Sequence, residues 1–519
     1  MKLVFLLLLG MAPLMPADPP VISVETRRPA RAWAVMQRRL IGALDQAGEE
    51  FVRKYARPDG TLVWKERYEG GMNSSDDAYE AFRFFSLHYA LGGSKNLDKQ
   101  HRHVWEGITR MFTRYGNIWR EFDSNWDWMH HGEGYTSFYT FGLADPTDAK
   151  FCDRSQRFAA MYIGEDPEAP NWDPERKQMR AVMTGSRGPK MTWTKRDWIP
   201  TNSNLAYYSL PFDDIPGVPS PVGWINHDTF GVIVKTMSDR MARCDVPINL
   251  TSTPLAADAY LYTGDEKYKR WVLDYLQTWI NLTKQNNGIT PDNVGQSGKI
   301  GEYMNDNWWG GYYGWKWPRG GMDVVKAEVT AGKVALLLTG DAKWLDLARS
   351  QLAVIRKNGK MENGEFLVPA RYDQRGWHHL GLEPLSPYVA IWAVTLDDAD
   401  RAQVDRVFNA GRARNEESEW LQFLDGKNSE FPVRAFQRDL DRVSAQVDHI
   451  LNEHADPGTW FDAKWSERDP MQVDNLVRLT TGGVAVDIRG EMLHAQVRYF
   501  DAERRQPGLP EASRRWSRS

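Results

Sequence analysis

Residues 249–280 read NLTSTPLAADAYLYTGDEKYKRWVLDYLQTWI, and residues 322–355 read MDVVKAEVTAGKVALLLTGDAKWLDLARSQLAVI. Each opens with an apolar run rich in small residues, halts at Thr-Gly-Asp, and resumes as an amphipathic run with charges along one side. A helix that is apolar nearly all round belongs inside a protein, and one with a charged stripe belongs at the surface. Both stretches therefore predict a hairpin of one inner and one outer helix. Working outward, the same plan returns in DDAYEAFRFFSLHYALGGSKNLDKQHRHVWEGITRMF from Asp76, in EGYTSFYTFGLADPTDAKFCDRSQRFAAMYIG from Glu133, and less regularly in LEPLSPYVAIWAVTLDDADRAQVDRVF from Leu382. A further outer helix is expected from about Arg31 to Tyr55.

Repeated units that cannot bury their faces alone must stack, and hairpins with one buried and one exposed member can close into a double ring. The expected fold is mainly α, an (α/α) toroid spanning residues 30–455, with a long excursion at 165–243 that lines or covers a cleft. Alternation from about Val473 to Phe500 predicts a small β element in a C-terminal segment, 456–519. In such a ring every inner helix starts at the same end. The residues preceding the inner helices, GGMNSSDD (70–77), DSNWDWMHHGE (123–133), CDVPINL (244–250), WWGGYYGWKWPRGG (308–321) and ARYDQRGWHH (370–379), then form loops around one shared rim.

The 519 residues are 42% hydrophobic with a formal charge of −4, a balance that gives no reason to expect nucleic acid as a partner. Met1 to about Ala17 has a lysine at position 2, the run LVFLLLL and a small-residue end. This fits a secretory signal peptide, and the expectation is an exported protein, secreted or periplasmic, with no membrane span. Cys152 and Cys244 are the two cysteines; the sequence leaves open whether they pair. The 23 tryptophans stand out, because indole offers a flat apolar face for sugar C–H groups as well as core volume, and many of them fall in the rim loops.

Inner helices closing with TGD, outer helices starting DEKY or DAKW, Trp-rich loops at one rim and an export signal together resemble the (α/α) toroid superfamily of six-hairpin glycosidases and polysaccharide lyases. The likeness covers roughly residues 30 to 450 and maps no single family's full catalytic motif. It implies a carbohydrate-active enzyme with a polysaccharide or oligosaccharide as its partner.

Two routes of sugar-chain cleavage are open. Elimination from a uronate needs a base, an acid and groups that neutralise the carboxylate. Known toroid lyases use Tyr, His, Asn and Arg in those roles, and the rim supplies His130, His131, Tyr135, Asn125, Arg371 and His378. In this first choice, a polysaccharide lyase, Tyr135 or His131 is the base or acid, Asn125 and Arg371 hold the carboxylate, and Glu133 orients a histidine. Hydrolysis instead needs two carboxyl groups, and the leading pair is Asp76 or Asp77 with Glu133. The adjacent aspartates resemble a pair used in some toroid mannanases, although Asp76 and Asp77 also suit a helix cap. A glycan-binding protein without chemistry is the third reading.

For substrate contact the expected residues are Trp126, Trp128, Trp308, Trp309, Tyr313, Trp315, Trp317, Arg319, Tyr372, Arg375, Trp377 and His379. WWGGYYGWKWP (308–318) is read as a stacking platform in preference to an aromatic plug, on account of its glycines. No metal and no other cofactor are expected: no HExxH or CxxC spacing occurs, and adjacent histidines rarely converge on one ion.

Overall fold

A computed structural model describes residues 29–68, 75–198, 205, 208–218, 221–410, 416–460 and 464–481. The expected signal peptide at 1–17 and the chain beyond 481 lie outside the described residues. Among the described residues, no helix is long and apolar enough to cross a membrane.

The Thr-Gly-Asp turns do what their chemistry predicts. Thr253–Thr263 ends at Gly264, whose φ of 68° is left-handed, and its N–H closes on Tyr260 O; Asp265 then caps Glu266–Gln285 by accepting from Lys267 N at 3.0 Å. Gly340 and Asp341 repeat this arrangement between Gly321–Thr339 and the turn leading into Asp346–Lys357. Gly321–Thr339 is buried on every side, as its all-round apolar sequence requires.

Six inner–outer pairs are present among the described residues. The inner members are Ser75–Glu80 with Phe85–Ala90, Trp128–Gly134 with Thr136–Ala144, Thr253–Thr263, Gly321–Thr339, Ser386–Thr395 and Glu416–Leu424. Their outer partners are Lys95–Tyr115, Ala149–Ile163, Glu266–Gln285, Asp346–Lys357, Asp398–Ala410 and Phe431–Asn452. Successive inner members touch from Ser75–Glu80 round to Ser386–Thr395, partly through the short helix Pro247–Ser252. The circuit returns through Phe431–Asn452 and Trp465–Arg468 to Ser75–Glu80, with Ala32–Tyr55 packed against Phe431–Asn452. This is the mainly α, (α/α) toroid architecture.

Two expectations need correction. Residues 370–379 are not a loop: Lys360–Glu362, Glu365–Asp373 and Gly376–Leu382 form a three-stranded antiparallel sheet between an outer and an inner helix. Its first turn is Asn363-Gly364, both at positive φ, the pair that two-residue hairpins favour. At the C-terminus Asp474–Thr481 is helical where alternation suggested strand, because Leu476 and Val477 are buried as neighbours on a helical face. The remainder of that expected β element, 482–500, is outside the described residues. Cys152 and Cys244 are both free thiols.

The loop at 308–321 is organised by one buried carboxylate. Asp292 accepts from the backbone N–H of Gly310, Gly311 and Trp315 at 3.1, 2.8 and 2.8 Å, and from Asn293 Nδ2 at 3.1 Å. Replacing it by alanine strands those donors in the interior. Asp292→Ala should cost about 3 kcal/mol of stability, read from the denaturant midpoint; a loss under about 1 kcal/mol would show that the loop is held by its aromatic packing alone.

Candidate active site

The helix Trp128–Gly134 carries the site, and its N-terminus is fixed by Asp127. The Asp127 carboxylate accepts from Met129 N at 2.9 Å and His130 N at 3.1 Å, which is an N-cap. Its two oxygens also each lie 2.9 Å from His130 Nδ1, and Oδ2 accepts from the Tyr312 hydroxyl at 2.9 Å. Successive residues of a helix are turned about 100° from one another, so His130 and His131 part company here.

His131 turns inward, its Nε2 at 3.0 Å from Thr184 O between Phe122 and Trp128, and burial holds its pKa down at about 4. A neutral, buried imidazole with Nε2 tied to a carbonyl does not serve as the base. Tyr135 is equally enclosed: its hydroxyl accepts from Asp123 N at 3.0 Å, and burial drives its pKa well above the usual phenol range. Both side chains are enclosed and hydrogen-bonded to backbone groups.

His130 faces the other way, toward Asp76 and Glu133. One ligand-type atom from each of Asp76, His130 and Glu133 lies within 4.8 Å of the other two. Asp76 is buried in the first turn of Ser75–Glu80; burial, with the charges of Glu133 and Asp123, outweighs the attraction of His130 and pushes its pKa up to about 7. Burial also raises Asp123 to about 6, although Ser75 Oγ donates to it at 2.6 Å. Burial would lower His130, but the Asp127 carboxylate wins and raises it to about 9; Asp127 is held below the usual range by the same pairing. At neutral pH this imidazole is a cation with a proton on Nε2. The trio is placed for acid–base work, and the same three donor atoms could hold a metal ion, whose binding would release that proton.

Close packing makes the arrangement possible. A Cβ on Gly134 would lie 2.9 Å from Asp76 Cα, so only glycine lets the two helices approach at this point. On the other flank Trp126 and Thr184 exchange backbone hydrogen bonds at 2.8 Å each, and Ser186 N donates to Asp123 O at 2.8 Å. Between these walls lies an open cavity of about 190 Å³ lined by Ser75, Asp76, Asp123, Asn125, Trp126 and Lys190, among others. Asn125 Nδ2 donates to Gly188 O at 2.7 Å, and Trp126 packs 4.9 Å from the His130 ring. Asp77 is half-buried in the same first helical turn as Asp76.

The remaining expected residues divide. Trp128, Trp315 and Trp317 are fully buried and Tyr313 is 8% exposed, so 308–318 is largely the aromatic plug and those faces are closed to a sugar. Its glycines serve close approach to Asp292, where a Cβ on Gly311 or Gly314 would collide. Arg319 is exposed, donates to Asp323 Oδ2 at 3.2 Å, and lies over the Tyr313 ring beside Met129. Trp308, Trp309, Tyr372 and Trp377 form a separate half-buried aromatic group around the sheet, Trp308 and Tyr372 being 4.5 Å apart.

Arg371 donates to Ser209 Oγ and Pro318 O at 3.0 Å each. Arg375 pairs with Asp373, His378 lies between Arg375 and Gly376 O, and His379 is exposed. Arg375, Asp373 and His378 are thus engaged with one another, and Arg371 with the segments at 209 and 318. Sequence reasoning passed over Lys190, which pairs with Asp197 at the cleft, and read Tyr312 as a stacking face rather than as the partner of Asp127. The one available signal was the position of Asp127 directly before a helix, the place of an N-cap.

Comparison with known proteins gives a family without an assigned activity. The chain belongs to the family described as "Domain of unknown function (DUF8034)", which matches residues 22–367 and 356–477. No curated protein matches it. Among solved structures, the GH76A alpha-1,6-mannanase of Salegentibacter sp. HEL1_6 is similar at 13% identity and a TM-score of 0.35, covering 73% of this chain and 88% of that one. An inactive double-aspartate variant of that enzyme in complex with alpha-1,6-mannotriose gives 12% identity, the same TM-score and the same coverage. At this identity and TM-score the likenesses carry no statement about substrate or reaction.

The Gly134 contact is directly testable. Alanine in a helix interior ordinarily gains up to about 1 kcal/mol over glycine, whereas Gly134→Ala should lose about 1–3 kcal/mol through the clash with Asp76. Unfolding midpoints decide the sign, and a stabilised variant would mean that the two helices have room to spare.

Proposed function

We propose that the chain is a carbohydrate-active enzyme, a glycoside hydrolase in which Asp76 is the general acid and Glu133 the nucleophile or base. The observation that carries this reading is the pair of carboxyl groups, Asp76 and Glu133, with oxygens within 4.8 Å of one another and Asp76 lining an open cleft. Hydrolysis of a glycosidic bond requires two such groups with opposite protonation. Burial keeps the proton on Asp76 up to about pH 7, suiting it to protonate the leaving oxygen. Glu133 is half-buried and faces the cations His130 and Arg319.

Asn125 lines the cleft as an amide that can orient a sugar hydroxyl, and Trp126, itself buried, forms part of the wall. The two oxygens lie no more than 4.8 Å apart, short of the about 6.5–9.5 Å that inverting enzymes keep between their carboxyl groups, which favours a glycosyl-enzyme intermediate on Glu133. The elimination reading is the weaker one, because His131 and Tyr135, its proposed base and acid, are spent on Thr184 O and Asp123 N.

The test is a panel of neutral and uronate-containing glycans, with α-1,6-linked mannooligosaccharides among them, followed for new reducing ends and for the ultraviolet absorbance of unsaturated uronate. Reducing ends without absorbance are expected, with the anomeric configuration retained when the product is observed by NMR. Absorbance rising with reducing ends would replace hydrolysis by elimination, and binding without turnover would leave a glycan-binding protein. Asp76→Asn and Glu133→Gln should each lower kcat by about 10²–10⁴-fold without loss of fold. Because the acid must be protonated, kcat/KM should decline as pH rises through about 7, and a chelator should leave turnover unchanged.

A further inference from the structure

His130 has no covalent or proton-transfer part in that scheme, yet it is firmly held. Its Nδ1 lies 2.9 Å from both Asp127 oxygens, and Asp127 is itself fixed by two backbone N–H groups and by Tyr312. The ring is closed on one side by Trp126. Such a clamp sets the tautomer and the aim of the imidazole, which leaves Nε2 as the nitrogen available to the carboxyl pair.

We infer that His130 is a positioning residue, resting on the hydrolase reading: the Asp127–Tyr312 clamp aims its Nε2–H at the Asp76/Glu133 pair, so that one carboxyl holds a proton while the other is a carboxylate. Two carboxyl groups this close resist ionising together, and a fixed cation beside them stabilises the singly ionised state. The same ion, being clamped, costs little reorganisation during turnover.

The charged and titratable surroundings set His130 among several acids. Ser75–Glu80 brings Asp76 and Asp77, the segment before the helix brings Asp123 and Asp127, and the helix itself brings Glu133. The loop at 308–321 brings Tyr312 and Tyr313, both held neutral by burial, and Arg319 on the far side of Glu133. Pro247–Ser252, packed on the same helix, carries no titratable side chain. His130 is thus the buried cation of the cluster, and Arg319 the exposed one.

Removing the cation raises the pKa of both carboxyl groups. In His130→Gln, which fills the same space without charge, the whole pH profile of kcat/KM should move upward by about one unit, with KM at the optimum changed less than kcat. Tyr312→Phe, which loosens the clamp and keeps the imidazole, should give a smaller shift in the same direction. An unmoved profile with a lower kcat in both variants would reduce His130 to a structural residue and overturn the inference.

A second readout needs no substrate. Nitrogen-15 NMR of the His130 ring should show a doubly protonated imidazolium persisting above pH 8 in the wild type and lost at or below the ordinary histidine range in Asp127→Asn. A wild-type ring that titrates in the ordinary range overturns the clamp whatever the reaction is. Failure of the hydrolase reading appears separately, as an inactive wild type. Failure of the positioning role appears as an active wild type whose variants keep its pH profile.

Discussion

The Asp127 carboxylate receives hydrogen bonds from Met129 N, His130 N, His130 Nδ1 and the Tyr312 hydroxyl, all inside the protein. Four donors, one of them a cation, keep this fully buried group ionised, and in return it fixes where the helix Trp128–Gly134 begins. The start of that helix sets its rotation, and the rotation decides which side chains meet Asp76. Tyr312 also ties this inner helix to the loop before Gly321–Thr339, so the cap joins the second and fourth hairpins of the ring. Without that anchor the acid cluster would have no fixed geometry.

Burial then supplies the chemistry. The toroid places the first turn of Ser75–Glu80 beside the C-terminal end of Trp128–Gly134, and Gly134 removes the side chain that would keep Asp76 and Glu133 apart. A carboxyl group enclosed by the core of a helical ring is poorly solvated and retains its proton, as Asp76 does, while Glu133 beside it is half-buried. The segment at 184–188, bonded to 123–126 along the backbone, forms the opposite wall and keeps the cleft open at one end of the ring.

How far this could be read from sequence depended on which physical signal each part left. The hairpins were legible because Gly264 and Gly340 must be left-handed and the following aspartates must cap, so turn chemistry and helical amphipathicity agree. The sheet at 360–382 left a signal in Asn363-Gly364, but residues 370–379 resembled the other rim loops and were grouped with them. Asp76, His130 and Glu133 were all named as candidates. Adjacent histidines differ only by a helical rotation that the sequence does not set: His131, the preferred one of the pair, turns into the core, and His130 faces Asp76 and Glu133. Tryptophan content likewise does not distinguish platform from plug: the glycines of 308–318 admit backbone donors to Asp292, a long-range partner invisible from local pattern.

The central claim is that the fold holds Asp76 protonated at neutral pH beside Glu133 and a cationic His130. Carboxyl carbon-13 NMR of the wild type, with Asp76→Asn used to assign the resonance, measures this directly. A carboxyl that keeps its proton until about pH 7 is the predicted result. Titration of Asp76 in the ordinary aspartate range, near 3.8, would contradict the account, because a carboxylate already ionised at neutral pH has no proton to give.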